Sequence, residues 1–172
     1  MATAGRLFFA LLPPPALQAE LGRLAVWCQR RCGGFAVAPE NIHLTLLFLG
    51  ELLPGQLDAV RRAAAGVRCA SFGMSLDRIE YWPGPRLLCA VPSQPLPAAT
   101  ALATALREAV RDTVVVPPRP FAAHVTLLRR LRRLGEVSML PLAWSATEFC
   151  LLRSQPVGRD VRYSSIDAWP CT

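Results

Sequence analysis

The two histidines of the chain, His43 and His124, stand in closely similar surroundings. Each is followed by threonine at the second position and leucine at the third, in His43-Leu44-Thr45-Leu46 and His124-Val125-Thr126-Leu127. An imidazole with an ordinary pKa near 6.5 exists in both protonation states at neutral pH. Two facing rings could therefore act as general base and general acid, while the threonine hydroxyls donate to anionic oxygens.

Both histidine motifs lie in short apolar runs that are typical of β-strands. The first run ends at Gly50 and the second follows a proline-rich turn. Because residues two apart in a strand point to the same side, Thr45 shares a face with His43, and Thr126 with His124. A phosphoryl group lying between the strands would meet a base, an acid and two hydroxyl donors. This arrangement fits in-line phosphoester cleavage without a metal.

Competing chemistries lack the residues that they need. A catalytic metal would require more ligands than two histidines, and neither motif contains aspartate or glutamate. No Gly-x-Ser-x-Gly sequence supplies the nucleophile of a serine hydrolase. All 19 basic residues are arginine, which excludes P-loop lysines and lysine-bound nucleotidyl intermediates. We therefore expect no cofactor and no metal.

The basic charge of the chain favours a polyanionic partner such as nucleic acid, since the formal net charge is +7. The densest basic segment, residues 129–133, directly follows the second motif. Arg129 ends the histidine strand, and we take Arg129 and Arg130 as candidate substrate-binding residues. Arg132 and Arg133 fit a solvated loop. No apolar run approaches the length of about 18 residues that a membrane helix needs, so we expect no membrane association.

The six cysteines are scattered without the spacing of a disulfide framework or a zinc site. Cys28 and Cys32 are one helical turn apart, but no second pair completes a metal site. We therefore expect reduced thiols packed in the core, no structural zinc and a cytoplasmic protein.

The elements that must position the motifs occur twice. Arg6 and Arg86, which open similar strands, are 80 residues apart, and the histidines are 81 residues apart. This nearly common offset indicates an internal duplication, and halves of this kind commonly pack about a pseudo-two-fold axis with equivalent strands facing across a cleft. Each copy consists of a strand, a proline turn, a helix and a motif, at 6–11, 17–31 and 41–50 in the first and at 86–91, 98–110 and 119–129 in the second.

The remaining elements complete one predicted domain spanning residues 1–172. A helix is expected over 53–65, a strand over 71–82, and two final strands over 147–152 and 161–166, joined by a loop at Gly158. The length suits one domain of two lobes, and no linker divides it. Nothing in the sequence requires an obligate protein partner, so we expect a monomer.

These features resemble the 2H phosphoesterase superfamily, and in particular its LigT-like branch of RNA 2′,3′-cyclic phosphodiesterases, formerly called 2′-5′ RNA ligases. The resemblance implies an α+β, bilobal fold of two antiparallel sheets flanked by helices, with the active site in the cleft between them. One departure is Ala123, where the family often has proline. The residues that carry the resemblance are Arg6 to Ala10, Asn41 to Gly50, Arg119 to Phe121, His124 to Leu127, Arg129, Tyr163 and Trp169.

The resemblance also implies a reaction, the metal-independent opening of a terminal 2′,3′-cyclic phosphate to a 2′-phosphate. By position, His43 would donate a proton to the departing 3′ oxygen and His124 would activate water. Thr45 and Thr126 would hold the phosphate, with Arg129 as a helper. Expected substrates are RNA ends with a 2′,3′-cyclic phosphate, such as those of tRNA fragments, or small cyclic nucleotides.

Two other functions stay open at this point. The same site run in reverse could join RNA ends without ATP, or act on another cyclic or 2′-5′ linked nucleotide. A different class of protein, a non-catalytic RNA-binding module, would use residues 129–133 electrostatically. The sequence also leaves open whether Tyr81, Trp82 or Phe121 stacks on a terminal base.

Overall fold

The computed structural model describes residues 5–158 and 160–172, which form an α+β fold with two antiparallel sheets, as predicted. Its helices are α1 (Pro15–Cys32), α2 (Gln56–Ala65) and α3 (Pro97–Val110), with a short 3₁₀ helix at Pro39–Asn41. Its strands are β1 (Arg6–Leu11), β2 (Phe35–Ala36), β3 (Leu44–Gly50), β4 (Phe72–Leu76), β5 (Arg78–Trp82), β6 (Leu87–Val91), β7 (Val125–Arg129), β8 (Leu142–Ala146), β9 (Glu148–Val157) and β10 (Asp160–Pro170).

Proline and glycine residues determine where the helices begin and end. Proline occupies the first turn of α1 and α3, where no backbone N–H is needed for the helix. Gly33, with φ of 69°, ends α1. The predicted start of α2 at residue 53 is too early, because Gly55 precedes this helix with a left-handed φ of 84°. None of the helices in residues 5–158 and 160–172 is long and apolar enough to cross a membrane.

The larger sheet has the order β10-β9-β1-β3-β7-β6-β5, with β2 paired to β7, and the smaller sheet pairs β4 with β8. The two halves of the chain exchange strands in these sheets. From the first half, β5 pairs with β6 of the second, while β9 of the second half pairs with β1 of the first. The motif strands β3 and β7 lie next to each other at the centre and are joined through the single residue pair Leu44 and Val125.

The prediction of one strand over 71–82 was wrong, because this segment forms two strands, β4 and β5, in different sheets. The break lies at Asp77, whose carboxylate accepts hydrogen bonds of 2.7 Å from the backbone N–H of Ser93 and 2.6 Å from its hydroxyl. These bonds fix the chain where it leaves β4 and enters β5. Neither β2 nor β8 was predicted; they are short strands of two and five residues.

The expectation that all the thiols are reduced is wrong for one pair, because Cys69 and Cys171 form a disulfide. The end of β10 brings Cys171 beside Cys69, and the backbone N–H of Thr172 donates to the Cys69 carbonyl oxygen at 2.9 Å. Spacing could not reveal this pair, since 102 residues separate its members. The other thiols are free and buried, at Cys28, Cys32, Cys89 and Cys150.

Candidate active site

The contact between the motif strands determines where the four polar motif side chains point. Leu44 and Val125 pair across β3 and β7, and both are fully buried in the main core. Neighbouring residues in a strand point to the opposite face. His43 therefore lies on the same side of the sheet as His124, away from that core, and each threonine lies beside its histidine. The structure thus brings together the residue types that the sequence analysis singled out.

The imidazole of His43 is held by two hydrogen bonds. Its Nδ1 lies 2.8 Å from the Asn41 carbonyl oxygen and its Nε2 lies 2.9 Å from the Thr45 hydroxyl oxygen. Because a carbonyl oxygen can only accept, Nδ1 carries a proton, and in the neutral ring Nε2 accepts from the hydroxyl of Thr45. The ring also packs against Phe8 and Tyr163, with centroid distances of 4.9 and 5.0 Å.

The second histidine repeats this tautomer in a different aromatic setting. Nδ1 of His124 lies 2.8 Å from the carbonyl oxygen of Ala122, so its Nε2 is the basic nitrogen of the neutral ring. The ring of Trp82 packs on that of His124 at a centroid distance of 4.4 Å. Both histidines are therefore oriented through the residue two positions earlier, and both present Nε2 for chemistry.

Burial favours the neutral form of both rings. The pKa of His43 is lowered from the usual 6.5 to about 4, chiefly by burial and also by the positive charges of Arg129 and His124, against the opposing effect of the Asn41 carbonyl. Burial likewise lowers the pKa of His124. An anionic substrate would oppose these shifts, since negative charge beside an imidazole favours its protonated form.

The two threonines differ in their surroundings. Thr45 is buried and contacts the ring of its own histidine. Thr126 is half-buried and pairs across β6 and β7 with Cys89, whose pKa burial raises to about 12. Cys89 is therefore a neutral thiol at physiological pH, and the hydroxyl of Thr126 can donate to an anionic oxygen.

The two candidate arginines lie in different environments. Arg129 donates a hydrogen bond of 2.8 Å from Nη2 to the Tyr163 hydroxyl, and its charge acts on His43. Arg130 is exposed and has a left-handed φ of 52°, so it turns the chain out of β7. The turn is held by Arg86, whose guanidinium donates to the Leu131 carbonyl oxygen at 2.7 and 3.1 Å.

Asn41 is a residue of the site that the sequence analysis did not single out. Its amide donates to the Val161 carbonyl oxygen at 2.6 Å and accepts from the backbone N–H of Tyr163 at 3.1 Å. Its own carbonyl oxygen orients His43. Asn41 thus ties β10 to the first motif. Its position two residues before the histidine could have indicated a role in orienting that ring. Its bond to β10 could not be predicted, because its partner there lies 120 residues away in the chain.

No group of three or more metal-ligating side chains occurs within residues 5–158 and 160–172. The site consists of two histidines, two threonines, one asparagine, one arginine and aromatic rings.

Fold and site together define an α+β protein whose larger sheet presents a histidine and a threonine from each of two adjacent strands on one face. A family model described as "LigT like Phosphoesterase" matches residues 11–88. The chain is 31% identical to the RNA 2′,3′-cyclic phosphodiesterase of Escherichia coli (strain K12), and the match covers 100% of this chain and 99% of that relative. The chain therefore belongs to the LigT-like phosphoesterase family, as the sequence predicted.

Solved structures agree with this assignment. A crystal structure of a phosphoesterase matches with a TM-score of 0.88 and 30% identity, covering 98% of each chain. The crystal structure of E. coli LigT complexed with 3′-AMP matches with a TM-score of 0.84 and 31% identity, again over 98% of each chain.

Proposed function

We propose that this protein is a metal-independent RNA 2′,3′-cyclic phosphodiesterase, which hydrolyses a terminal 2′,3′-cyclic phosphate to a 2′-phosphate. The observation that carries the proposal is the central pair of motif strands, which presents His43 and His124 with their threonines on one side of the sheet. The name of the E. coli relative, RNA 2′,3′-cyclic phosphodiesterase, supports the same reaction.

In the proposed reaction, Nε2 of His124 takes a proton from water as the water oxygen attacks phosphorus. The bond between phosphorus and the 3′ oxygen breaks, and His43 gives a proton to that oxygen from Nε2, so the phosphate stays on the 2′ oxygen. Each ring keeps its Nδ1 proton on a backbone carbonyl oxygen, which leaves Nε2 for the transfer. The family resemblance supports the choice of donor and acceptor, because the two rings are held alike.

In this reaction the hydroxyl of Thr45 has two hydrogen-bond partners in turn, His43 and a phosphate oxygen. In the neutral state its hydroxyl donates to His43. Once His43 is protonated, both ring nitrogens are donors, so the hydroxyl hydrogen of Thr45 becomes available to a phosphate oxygen. Thr126 donates to the phosphate from the other strand. Arg129 uses one of its five donors on Tyr163 and has others for the phosphate. We assign the exposed Arg130 to the RNA backbone beyond the reacting group.

The direct test uses the purified protein, treated with EDTA, and a short RNA that ends in a 2′,3′-cyclic phosphate. We expect a 2′-monophosphate product, resolved from the 3′ isomer by chromatography. His43→Ala and His124→Ala should each abolish turnover without changing the thermal midpoint by more than a few degrees. A 3′-monophosphate product, or full turnover by either variant, would refute the proposal. RNA binding without turnover would favour a binding module.

We further propose a monomer of one domain with two lobes, acting in the cytoplasm on RNA ends such as those of tRNA fragments. The four buried free thiols support this location, and the disulfide between Cys69 and Cys171 is the observation that opposes it. Gel filtration with light scattering tests the monomer.

A further inference from the structure

Trp82 is a half-buried tryptophan that packs on a histidine of the site rather than in the core. The centroid of its ring lies 4.4 Å from that of His124. The alternate residues of β5, Ile79 and Tyr81, point to the opposite face of the sheet and pack against the buried clusters there. Packing of the core therefore does not explain why a large aromatic ring stands at residue 82.

The two histidines differ in how firmly their rings are fixed. Both ring nitrogens of His43 are hydrogen-bonded within the protein. His124 is bonded, among the described residues, through Nδ1 to the carbonyl oxygen of Ala122. One such bond leaves an imidazole free to swing about the bonded nitrogen, so a second contact is needed to aim Nε2. The ring of Trp82 supplies that contact.

Trp82 is itself held by neighbours on its own strand. Its Nε1 donates to the carboxylate of Glu80 at 3.1 Å, and Arg78 donates to the other oxygen of that carboxylate at 3.3 Å. These three residues are two apart, so they lie on one face of β5. Glu80 pairs with Cys89, which in turn pairs with Thr126. The face that carries Trp82 is therefore the face that carries the site.

The turn after Trp82 is fastened to the end of the second motif strand. Arg86 ends this turn with a left-handed φ of 57°, a conformation that costs energy in a residue with a Cβ atom. Its carbonyl oxygen accepts a hydrogen bond of 3.0 Å from the backbone N–H of Leu131, and its guanidinium donates to the Leu131 carbonyl oxygen. The hairpin of β5 and β6 is thus tied to the chain that leaves β7, which keeps Trp82 beside His124.

We propose that Trp82 is a positioning residue for His124, whose ring keeps Nε2 aimed at the attacking water and keeps other water away from the imidazole. This inference rests on the proposed function. A general base must lie within hydrogen-bond reach of the proton that it takes, and a misplacement of about 1 Å can lower a rate about 100-fold. Exclusion of water also favours the neutral imidazole, which is the form that accepts a proton.

The kinetic test compares Trp82→Ala and Trp82→Phe with the wild type in hydrolysis of a short RNA ending in a 2′,3′-cyclic phosphate. Misplacement of His124 should lower kcat roughly 10- to 100-fold in Trp82→Ala and leave KM within about two-fold of the wild-type value. Trp82→Phe keeps a ring without the Nε1 donor, so its kcat should lie between these values. Glu80→Leu removes the acceptor but keeps the indole, and should lower kcat less than Trp82→Ala. Trp27→Ala is the control and should keep the wild-type kcat, because Trp27 is a half-buried tryptophan of α1 outside the site.

A substrate without its terminal base separates positioning from contact with that base. If Trp82 acts through His124, the ratio of wild-type kcat to that of Trp82→Ala should be the same on the intact and the abasic RNA. A loss that appears in KM and disappears on the abasic RNA would mean that Trp82 binds the base, which overturns the inference. Equal kinetics for wild type and Trp82→Ala would overturn it as well. Failure of the wild type to hydrolyse either RNA would refute the proposed function instead.

Proton NMR of the free protein gives a measurement that needs no substrate. The chain has two histidines, so the spectrum of His43→Gln identifies the imidazole signal of His124. In Trp82→Ala this signal should lose the ring-current shift of the indole, and the pKa of His124 should rise towards the ordinary 6.5, because water reaches the ring. An unchanged pKa of His124 would overturn the inference even if the wild type proved inactive. The charged and titratable side chains on this face of the neighbouring strands are the same in the variant and the wild type, namely His43, Arg78, Glu80, Cys89, Arg129 and Tyr163.

Discussion

The hydroxyl of Tyr163 accepts a 2.8 Å hydrogen bond from Nη2 of Arg129, which joins the last strand to the end of the second motif. The ring of Tyr163 stands edge-on to that of His43 at a centroid distance of 5.0 Å. One side chain of β10 therefore contacts candidate residues of both motifs.

Tyr163→Phe should weaken substrate binding while leaving the fold intact, because it removes the hydroxyl and keeps the ring against His43. A hydrogen bond to a charged group contributes about 1.5–3 kcal/mol, so we expect kcat/KM to fall by about ten-fold or more. Tyr81→Phe is the matched control, since Tyr81 packs against the buried cluster that contains Leu88 and Leu128. Kinetics with an RNA that ends in a 2′,3′-cyclic phosphate measure the effect, and equal values for the two variants would contradict it.

A double-mutant cycle separates positioning from a general loss of packing. If Tyr163 acts through Arg129, Tyr163→Phe should have little further effect in an Arg129→Ala background. Additive losses would mean that the hydroxyl acts independently of the guanidinium.

The kcat/KM of the wild type should be highest below pH 6.5. Burial lowers the pKa of His43 to about 4 and also lowers that of His124. A general acid must be protonated and a general base unprotonated, so activity is greatest between their two pKa values and falls on either side. Arg129→Ala removes a charge that disfavours the imidazolium of His43, and should move the limb of the profile that His43 sets to higher pH.

The kcat profile should differ from the kcat/KM profile in a defined direction. A bound phosphate stabilises the protonated form of both imidazoles, so both limbs of the kcat profile should lie at higher pH than those of the kcat/KM profile. Limbs at the same pH in both profiles would show that the substrate charge does not reach the histidines.

Stability should fall when the pH is lowered from 6.5 towards 4. The pKa of His43 is lowered in the folded state, so in this window the unfolded chain binds more protons, and each unit of acidification lowers the free energy of unfolding by up to about 1.4 kcal/mol. The loss at pH 4 is about 3 kcal/mol from this group. Urea denaturation at several pH values gives the free energy of unfolding as a function of pH. This free energy should depend less steeply on pH in His43→Gln than in the wild type. An unchanged pH dependence would show that the pKa of His43 is not lowered in the folded state.

Reduction of the disulfide should destabilise the chain without removing the site. Its members are 102 residues apart, and cross-links of long loops typically contribute about 2–4 kcal/mol. Urea denaturation of the wild type should shift on addition of dithiothreitol, whereas the double variant Cys69→Ser with Cys171→Ser should match the reduced wild type under both conditions. Alkylation of the unfolded, unreduced chain should label four thiols; six labelled thiols would refute the cross-link.

The sequence allowed prediction of the elements whose signals are local. Prolines and helical spacing indicated α1 and α3, and alternation with flanking turns indicated β1, β6 and the motif strands. The similar contexts of His43 and His124 indicated a paired site, because short motifs carry their chemistry in adjacent residues.

Other features depend on contacts between distant parts of the chain, which periodicity does not encode. Phe48 in β3 is 62% exposed because a register shift against β1 turns it away from the core. The break at Asp77 follows from its bonds to Ser93, and the role of Asn41 follows from its bonds to β10. Each of these requires knowledge of which strand lies next to which.

The strand exchange also affects how the protein is made. In the completed sheet, β1 lies between β3 and β9, so one of its edges has its partner soon after synthesis while the other waits for residues 148–157. Until then the nascent chain exposes an unpaired strand edge rich in phenylalanine and leucine, which is a site for unwanted association. The ribosome must extend the chain to about residue 157 before this edge of β1 is covered, so a chain that stalls earlier exposes it.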